Sequence, residues 1–401
     1  MKYYSLPSDF RKETIDEYEK LNNSGLDSRI IETYGNITIG DLFGSGRLVR
    51  QMSKVDIHDL YEYVKYSKER NIEFDYTFNA PHLQNMEFTT EGISKLKDFL
   101  GKIYDAGIRS LTVTLPSLME LIQSTKYDFK IKASCLCQVR NANRALAYKK
   151  LGVEKIVTDE SINKDFYTLK SIREAFGDKI EIIVNQICDK NCMYRMFHYN
   201  MISGDSVGST NKASINYYEH RCVLQQLRSI DNLLKLCWVR PEDIKYYTEI
   251  GIHYFKLQGR HTFVQGGDAV RTVKAYFEEN FDGNLIDLLT MFAKLTSFSV
   301  YVDNKKLDGF IKPFFEIENF CKNNCSQCRY CESFAKKCID YDQAKEVVEL
   351  AKKFYNDYDQ YKKLLNTEKP GNEAIEQDEC KPAKELLLLK DMKQDRGDFD
   401  F

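Results

Sequence analysis

Several features that would assign this 401-residue chain quickly are missing from it. There is no excess of charge: 58 Lys and Arg stand against 60 Asp and Glu, a formal net charge of -2. A molecule so balanced has no bulk attraction for nucleic acid or anionic membrane, so any such binding must come from a local patch. No apolar run approaches the roughly 20 residues of a membrane span. The amino terminus has no basic start followed by an apolar core and a small-residue cleavage site. The expectation is a cytoplasmic protein with no membrane partner. Protease signatures are absent too. No His-Glu-x-x-His is present, and no Ser-His-Asp or Cys-His arrangement is legible.

What is present is a regular alternation of strand-like and helix-like stretches. Ile30 to Tyr34 reads as a first strand, after a polar start with a helix near Lys12 to Leu21. Further strands are expected at Glu73–Phe78, Ser110–Leu115, Lys130–Cys135, Glu154–Thr158, Ile180–Val184, Leu236–Val239 and Ile252–Leu257. Helices are expected between them, among them Val55–Arg70, Gly92–Ala106, Pro116–Gln123, Asn141–Lys150, Phe166–Phe176, Val223–Leu234 and Pro241–Ile250. Eight strands with crossover helices indicate an α/β fold, a (β/α)8 TIM-like barrel. A doubly wound open sheet is the alternative. The barrel is expected over residues 1–300, with a cluster-binding insertion at 185–240. A small cysteine-rich subdomain with a long helix, Tyr341 to Leu365, fills 301–365, and 366–401 reads as a flexible charged tail. Within the long insertion, Gly204 to Ser209 has the composition of a lid.

Twelve cysteines in a cytosolic chain point to metal ligands rather than disulfides. Cys188 and Cys192 follow a predicted strand, the end at which α/β barrels keep their chemistry, and Cys222 and Cys237 can fold back onto them. Four thiolates at one point suit zinc or an iron-sulfur cluster. Buried core cysteines are the bland alternative. The second set, Cys321, Cys325, Cys328, Cys331 and Cys338, is packed so closely that its thiolates repel unless a metal neutralises them; zinc and a cluster fit its spacing equally. Cys321-x3-Cys325-x2-Cys328 also has the radical S-adenosylmethionine spacing, but it follows the whole barrel instead of its first strand and has Cys331 as a fourth ligand. Cys135 and Cys137 read as structural. Among polar residues at predicted strand ends, His198, Asn79 and Asn185 are the catalytic candidates, His198 first because imidazole titrates near neutral pH.

From Ile187-Cys188 to Arg260 the chain resembles the collagenase-like peptidase family. The likeness lies in the cysteines after the strand, in Cys237-Trp238-Val239-Arg240-Pro241-Glu242-Asp243, and in Phe255-Lys256-Leu257-Gln258-Gly259-Arg260. Upstream, Lys132-Ala133-Ser134 and Lys150-Leu151-Gly152-Val153-Glu154-Lys155-Ile156-Val157 are similar as well, so the likeness covers roughly 30–275. The chain departs from the family in the short gap between Cys188 and Cys192 and in Asp159-Glu160-Ser161, where Arg-Glu-Leu is usual. The resemblance implies a barrel carrying a 4Fe-4S cluster and, in several members, oxygen-independent hydroxylation of ubiquinone precursors or of tRNA and rRNA bases. The leading expectation is a redox enzyme modifying an RNA base or a small aromatic or peptide substrate, with an electron donor protein as a possible partner. A peptidase is the runner-up. A non-catalytic cluster-bearing RNA-binding or scaffold protein is the third reading.

Overall fold

The computed structural model describes residues 1–41, 43–207, 217–293 and 300–358. Eight parallel strands close into a barrel in sequence order: β1 Lys2–Pro7, β2 Ser28–Gly35, β3 Glu73–Phe78, β4 Ser110–Val113, β5 Lys130–Ala133, β6 Lys155–Val157, β7 Ile180–Ile183 and β8 Tyr254–Lys256. Closure is made by β1, which pairs with β8 through Tyr3 and Tyr254 and with β2 through Tyr3 and Arg29. The open doubly wound alternative is thereby excluded.

Six single helices make the first crossovers: α1 Lys12–Asn22, α2 Ile57–Lys68, α3 Thr90–Asp105, α4 Pro116–Gln123, α5 Ala142–Lys150 and α6 Phe166–Phe176. Their starts follow from local chemistry. Asp56 and Asp59 form a capping box on α2, Pro116 sits in the first turn of α4, and Asp165 accepts from Thr168 N at α6. Between β7 and β8 the chain makes a longer excursion through α7 Arg195–Ser206, α8 Tyr217–Leu227, α9 Asn232–Lys235 and α10 Ile244–Glu249. Beyond β8 come α11 Ala269–Phe277, α12 Leu285–Leu289, α13 Lys312–Glu316, α14 Tyr330–Cys338 and α15 Tyr341–Tyr358.

The expected strand count is met by a different set of strands. β1 is absent from the sequence reading because Lys2 and Ser5 break its apolar character and Pro7 ends it. The run Leu236–Val239 is no barrel strand. It returns antiparallel along the chain leaving β7, bridging Leu236 to Asp189, with Val239 N donating to Val184 O at 2.8 Å. Its side chains are apolar because they are buried, and β8 already occupies that edge of β7. Two boundaries also move. β5 stops at Ala133, so Cys135 and Cys137 lie in a 3-10 turn rather than a strand, and the expected helix Val223–Leu234 is split into α8 and α9. Of the suggested lid, Gly204 to Ser206 belong to α7, where Ser206 Oγ donates to Ser45 O at 3.0 Å; residues 208 and 209 lie outside the described residues. So do the 366–401 tail and the end of the long helix beyond 358.

Apolar side chains fill the space between strands and helices, but the barrel interior holds a layer of charge. Glu32, Asp75 and Glu181 face Lys132, Lys155 and Lys256, six ionic groups each 11% or less exposed on their side chains. Lys132 Nζ pairs with Glu32 and lies 3.6 Å from Asp75 and 3.5 Å from Glu181. Lys155 Nζ reaches Glu181 at 2.6 Å. Thr112 donates to Asp75, as does Ser110 at 3.0 Å. Three carboxylates matched to three ammonium groups is the condition under which charges tolerate burial. Among the described residues, no helix is long and apolar enough to cross a membrane.

Candidate functional site

Chemistry-bearing side chains collect at the carboxyl ends of the strands, above the charged layer. There a cavity of about 50 Å3 is lined from below by Tyr34, Thr77, Thr112 and Lys256, and from the rim by Arg47, Asn79, Ser134, Cys135, Gln186, Tyr199, Gln258 and Arg260. The strand alternation that turns Glu32, Asp75 and Glu181 inward brings Tyr34, Thr77 and Ile183 to the cavity two residues later. Gly46 adjoins Asn79, whose Oδ1 accepts from Gly46 N at 3.0 Å, and Arg47 donates to Gln258 Oε1 at 2.8 Å.

Beside this cavity the β7–β8 excursion brings the first four cysteines into one neighbourhood. Cys192 and Cys222 share a hydrogen bond between their sulfur atoms, and Cys188 interacts electrostatically with Cys192, Cys222 and Cys237. The returning segment fixes Cys237 by its N-H donating to Cys188 O at 3.1 Å. Burial, then the charge of Glu160, pushes the Cys188 and Cys237 thiols well up; the bond to Cys192 and then burial raise Cys222, while that same bond lowers Cys192. Left to themselves these sulfurs resist ionising together, and a cationic metal group is what removes that resistance. Among the described residues no three His, Cys, Asp or Glu side chains converge closely enough to hold a single ion.

Arg195, at the start of α7, locks the excursion to the barrel. Its guanidinium contacts Asp159 at 2.7 and 2.8 Å and Glu160 at 2.8 Å, Arg140 approaches Asp159 at 2.8 Å, and Gln186 donates to Glu160 at 3.2 Å. Asp159 and Glu160 are therefore occupied in holding the cysteine-bearing segment.

The three catalytic candidates separate. Asn79 lines the cavity. Asn185 lies just outside it, fully buried, and its amide is spent on backbone: Nδ2 donates to Gln258 O and Leu289 O, and Oδ1 accepts from Gln258 N at 2.7 Å. It ties the end of β7 to the end of β8. His198 is half-buried on α7 between Tyr199 and Tyr218, with ring centroids 6.0 Å from each. Burial, then Arg47, lowers its imidazole to about 4, so it is neutral at pH 7 and accepts protons poorly. Arg47, Arg195, Tyr199 and Lys256 were not singled out from sequence. Their signals are slight: Arg47 stands in a glycine-rich loop, and Lys256 stands out only within the Phe255–Arg260 stretch that carries the family likeness.

In the second set Cys321 and Cys325, on the loop before α14, interact electrostatically with Cys331 in its first turn, and the exposed Cys328 lies on the same loop. That loop abuts the first set. Lys190, between Cys188 and Cys192, lies 3.5 Å from Cys321 Sγ. The buried Lys164 ammonium, held by Leu236 O at 2.5 Å and Leu234 O at 3.2 Å, feels both Cys237 and Cys331, and burial outweighs them to lower it to about 8. Cys338 stands apart: it is buried among Asp303, Lys306 and Arg240, with its Sγ toward Ala335 O. Cys135 lines the cavity, whereas Cys137 packs in the core with its Sγ 3.3 Å from Thr114 O.

Comparison with known proteins places this geometry in a family. Residues 43–285 match the model of peptidase family U32. The chain is 31% identical over 339 residues to the uncharacterized protease MJ1657 of Methanocaldococcus jannaschii, covering 84% of this chain and 98% of that protein. The solved structure of the U32 peptidase Mk0906 aligns at 16% identity with a TM-score of 0.47, over 65% of this chain and 93% of that one. The chain belongs to peptidase family U32, the collagenase-like peptidases.

Proposed function

We propose that this U32 protein is an iron-sulfur enzyme in which Cys188, Cys192, Cys222 and Cys237 hold a 4Fe-4S cluster beside the barrel-mouth cavity. The observation that carries the reading is the electrostatic coupling of these four thiols, from three separate segments, beside a polar cavity at the catalytic end of a TIM-like barrel. An all-sulfur donor set suits a cluster, and a cube of irons and sulfides accepts thiolates more widely spaced than a single ion does. When bound, such a group supplies one-electron redox chemistry. The chain's own residues do the rest: Arg195 fixes the ligand-bearing segment, and Asn79, Gln186 and Gln258 offer amides to orient a substrate.

The reaction class proposed is oxygen-independent hydroxylation of an RNA base or a small aromatic or peptide substrate. With water as oxygen source, replacing C–H by C–OH releases two electrons and two protons, so an electron-transfer partner protein is part of the proposal. The test is Cys188→Ala, which removes a ligand without touching the cavity. Expected is loss of the near-visible thiolate-to-iron absorption and of bound iron; an unchanged spectrum and iron content overturn the ligand set.

The name of the family and of its archaeal relative favours a second reading, a peptidase. Against it stand the histidines. His253 and His261 have buried Nδ1 atoms with no hydrogen-bond partner, and His198 sits between two tyrosine rings. Peptide cleavage that survives loss of the metal would support the peptidase.

A further inference from the structure

We infer that the barrel-mouth cavity is a binding site for a small oxyanion, the carboxylate or phosphate end of a small-molecule substrate, gripped by Arg47, Lys256 and Arg260. All three cations line the cavity, and among the described residues no aspartate or glutamate does. Lys256 is only 6% exposed, and its Nζ has no hydrogen-bond partner; it lies 4.0 Å from Glu181 Oε2 and 3.7 Å from the Tyr34 ring centre. Arg260 is also 6% exposed, and its guanidinium donates only to neutral oxygens, Asn36 Oδ1 and Thr77 Oγ1. Arg47 likewise donates to a neutral amide, Gln258 Oε1.

The surrounding charges sharpen the point. In the layer below, three carboxylates match three lysines, Lys256 included; the half-buried Asp41, whose oxygens accept from Asn36, Phe43 and Gly44, acts on Arg260, so Arg47 and Arg260 together leave one positive charge in excess. The nearby Asp159 and Glu160 are taken by Arg195 and Arg140. Burial lowers the Lys256 ammonium against the pull of Glu181, Asp75 and Glu32, and brings the Arg260 guanidinium down to about 10 against that of Tyr34, Tyr76 and Asp41. A cation buried without a close ion pair is costly, and guanidinium and ammonium groups are the donors that match the oxygens of a carboxylate or phosphate.

At about 50 Å3 the cavity has room for one such headgroup. Arg47 also senses Cys188, so the cavity lies within electrostatic reach of the first cysteine set. The anion site stands on the cations and the cavity, whether or not the cysteines hold a cluster.

The test is calorimetric titration of the full chain, purified without oxygen, with inorganic phosphate and separately with malonate at constant ionic strength set by chloride. Saturable binding of either at up to about 10 mM is expected, weakened about tenfold or more by Arg47→Gln. Phosphate alone binding assigns phosphate-bearing substrates, and malonate alone assigns carboxylate-bearing ones. Arg47 sits in a half-buried loop, so the variant should fold; its circular dichroism and unfolding midpoint check this, and Lys256→Met serves as a second variant. No binding of either anion, or equal binding by folded Arg47→Gln and Lys256→Met, overturns the site.

Discussion

Lys190 Nζ lies 3.5 Å from Cys321 Sγ, so the loop that joins Cys188 to Cys192 touches the first cysteine of the carboxyl-terminal set. With Lys164 facing both Cys237 and Cys331, the two thiol groups are neighbours across two ammonium groups rather than centres of separate units. Paired Cys325→Ser and Cys328→Ser substitutions should therefore deplete the second set of metal and also alter the spectroscopic signal of the first. Electron paramagnetic resonance of the reduced protein reads this. A first-centre signal identical to wild type would contradict the adjacency.

Cys338 behaves differently from its four companions, because its sulfur is buried among Asp303, Lys306 and Arg240. Cys338→Ala should leave the metal content at the wild-type value while costing about 1 kcal/mol of stability from lost packing. A drop in metal per chain would return Cys338 to the ligand set.

The Arg195 clamp should be needed for the fold of the excursion. Removing one partner of a buried, hydrogen-bonded ion pair leaves uncompensated charge, here on Asp159 and Glu160. Arg195→Met is expected to cost about 3–5 kcal/mol in denaturant unfolding. A cost below about 1 kcal/mol would mean that the excursion is held by other contacts.

The charged layer sets a pH dependence. Burial raises the Glu32 and Glu181 carboxyls, but the Lys132 and Lys155 ammonium groups outweigh it and hold both below their ordinary range. As pH falls through the carboxylate range the unfolded chain binds protons first, so this contribution is complete above the unfolded values and is lost in acid. Lys132 is opposed by burial but raised by Asp75, Glu181 and Glu32, and its contribution is lost only as pH climbs above the ordinary lysine range. Lys256, lowered by burial, works in the opposite sense and offsets part of the gain at neutral pH. Lys132→Met should move acid unfolding to higher pH; a superimposable acid limb in both proteins would argue that the layer is electrostatically inert.

Asn79 follows β3 and Asn185 follows β7, both at the carboxyl ends of strands, yet they should respond differently. Asn185→Ala strips Gln258 and Leu289 of buried partners and should cost about 1–3 kcal/mol. Asn79→Ala, on the cavity wall, should chiefly alter ligand affinity. Unfolding curves beside anion titrations separate the two.

The barrel was legible where periodicity and caps agree. Pro116–Gln123 and Phe166–Phe176 have the same bounds in sequence and structure because a proline and an aspartate mark their starts. It was illegible where burial depends on closure. β1 looks polar until Ser5 is seen facing the barrel axis, and Leu236–Val239 looks like a strand because burial by a returning loop leaves the same apolar trace. Lysine and glutamate within strands suggest solvent, whereas Lys132, Glu32 and Glu181 neutralise one another inside. The cysteines stood out through spacing alone. The cavity did not, since Arg47, Lys256 and Arg260 come from a loop and a strand end some two hundred residues apart.

The most direct test is to purify the full chain without oxygen and measure iron, acid-labile sulfide and zinc per chain alongside the absorption spectrum. About eight irons with matching sulfide are expected, two 4Fe-4S clusters, or about four if the second set takes zinc. Zinc without iron or sulfide would contradict the redox reading and put the peptidase first.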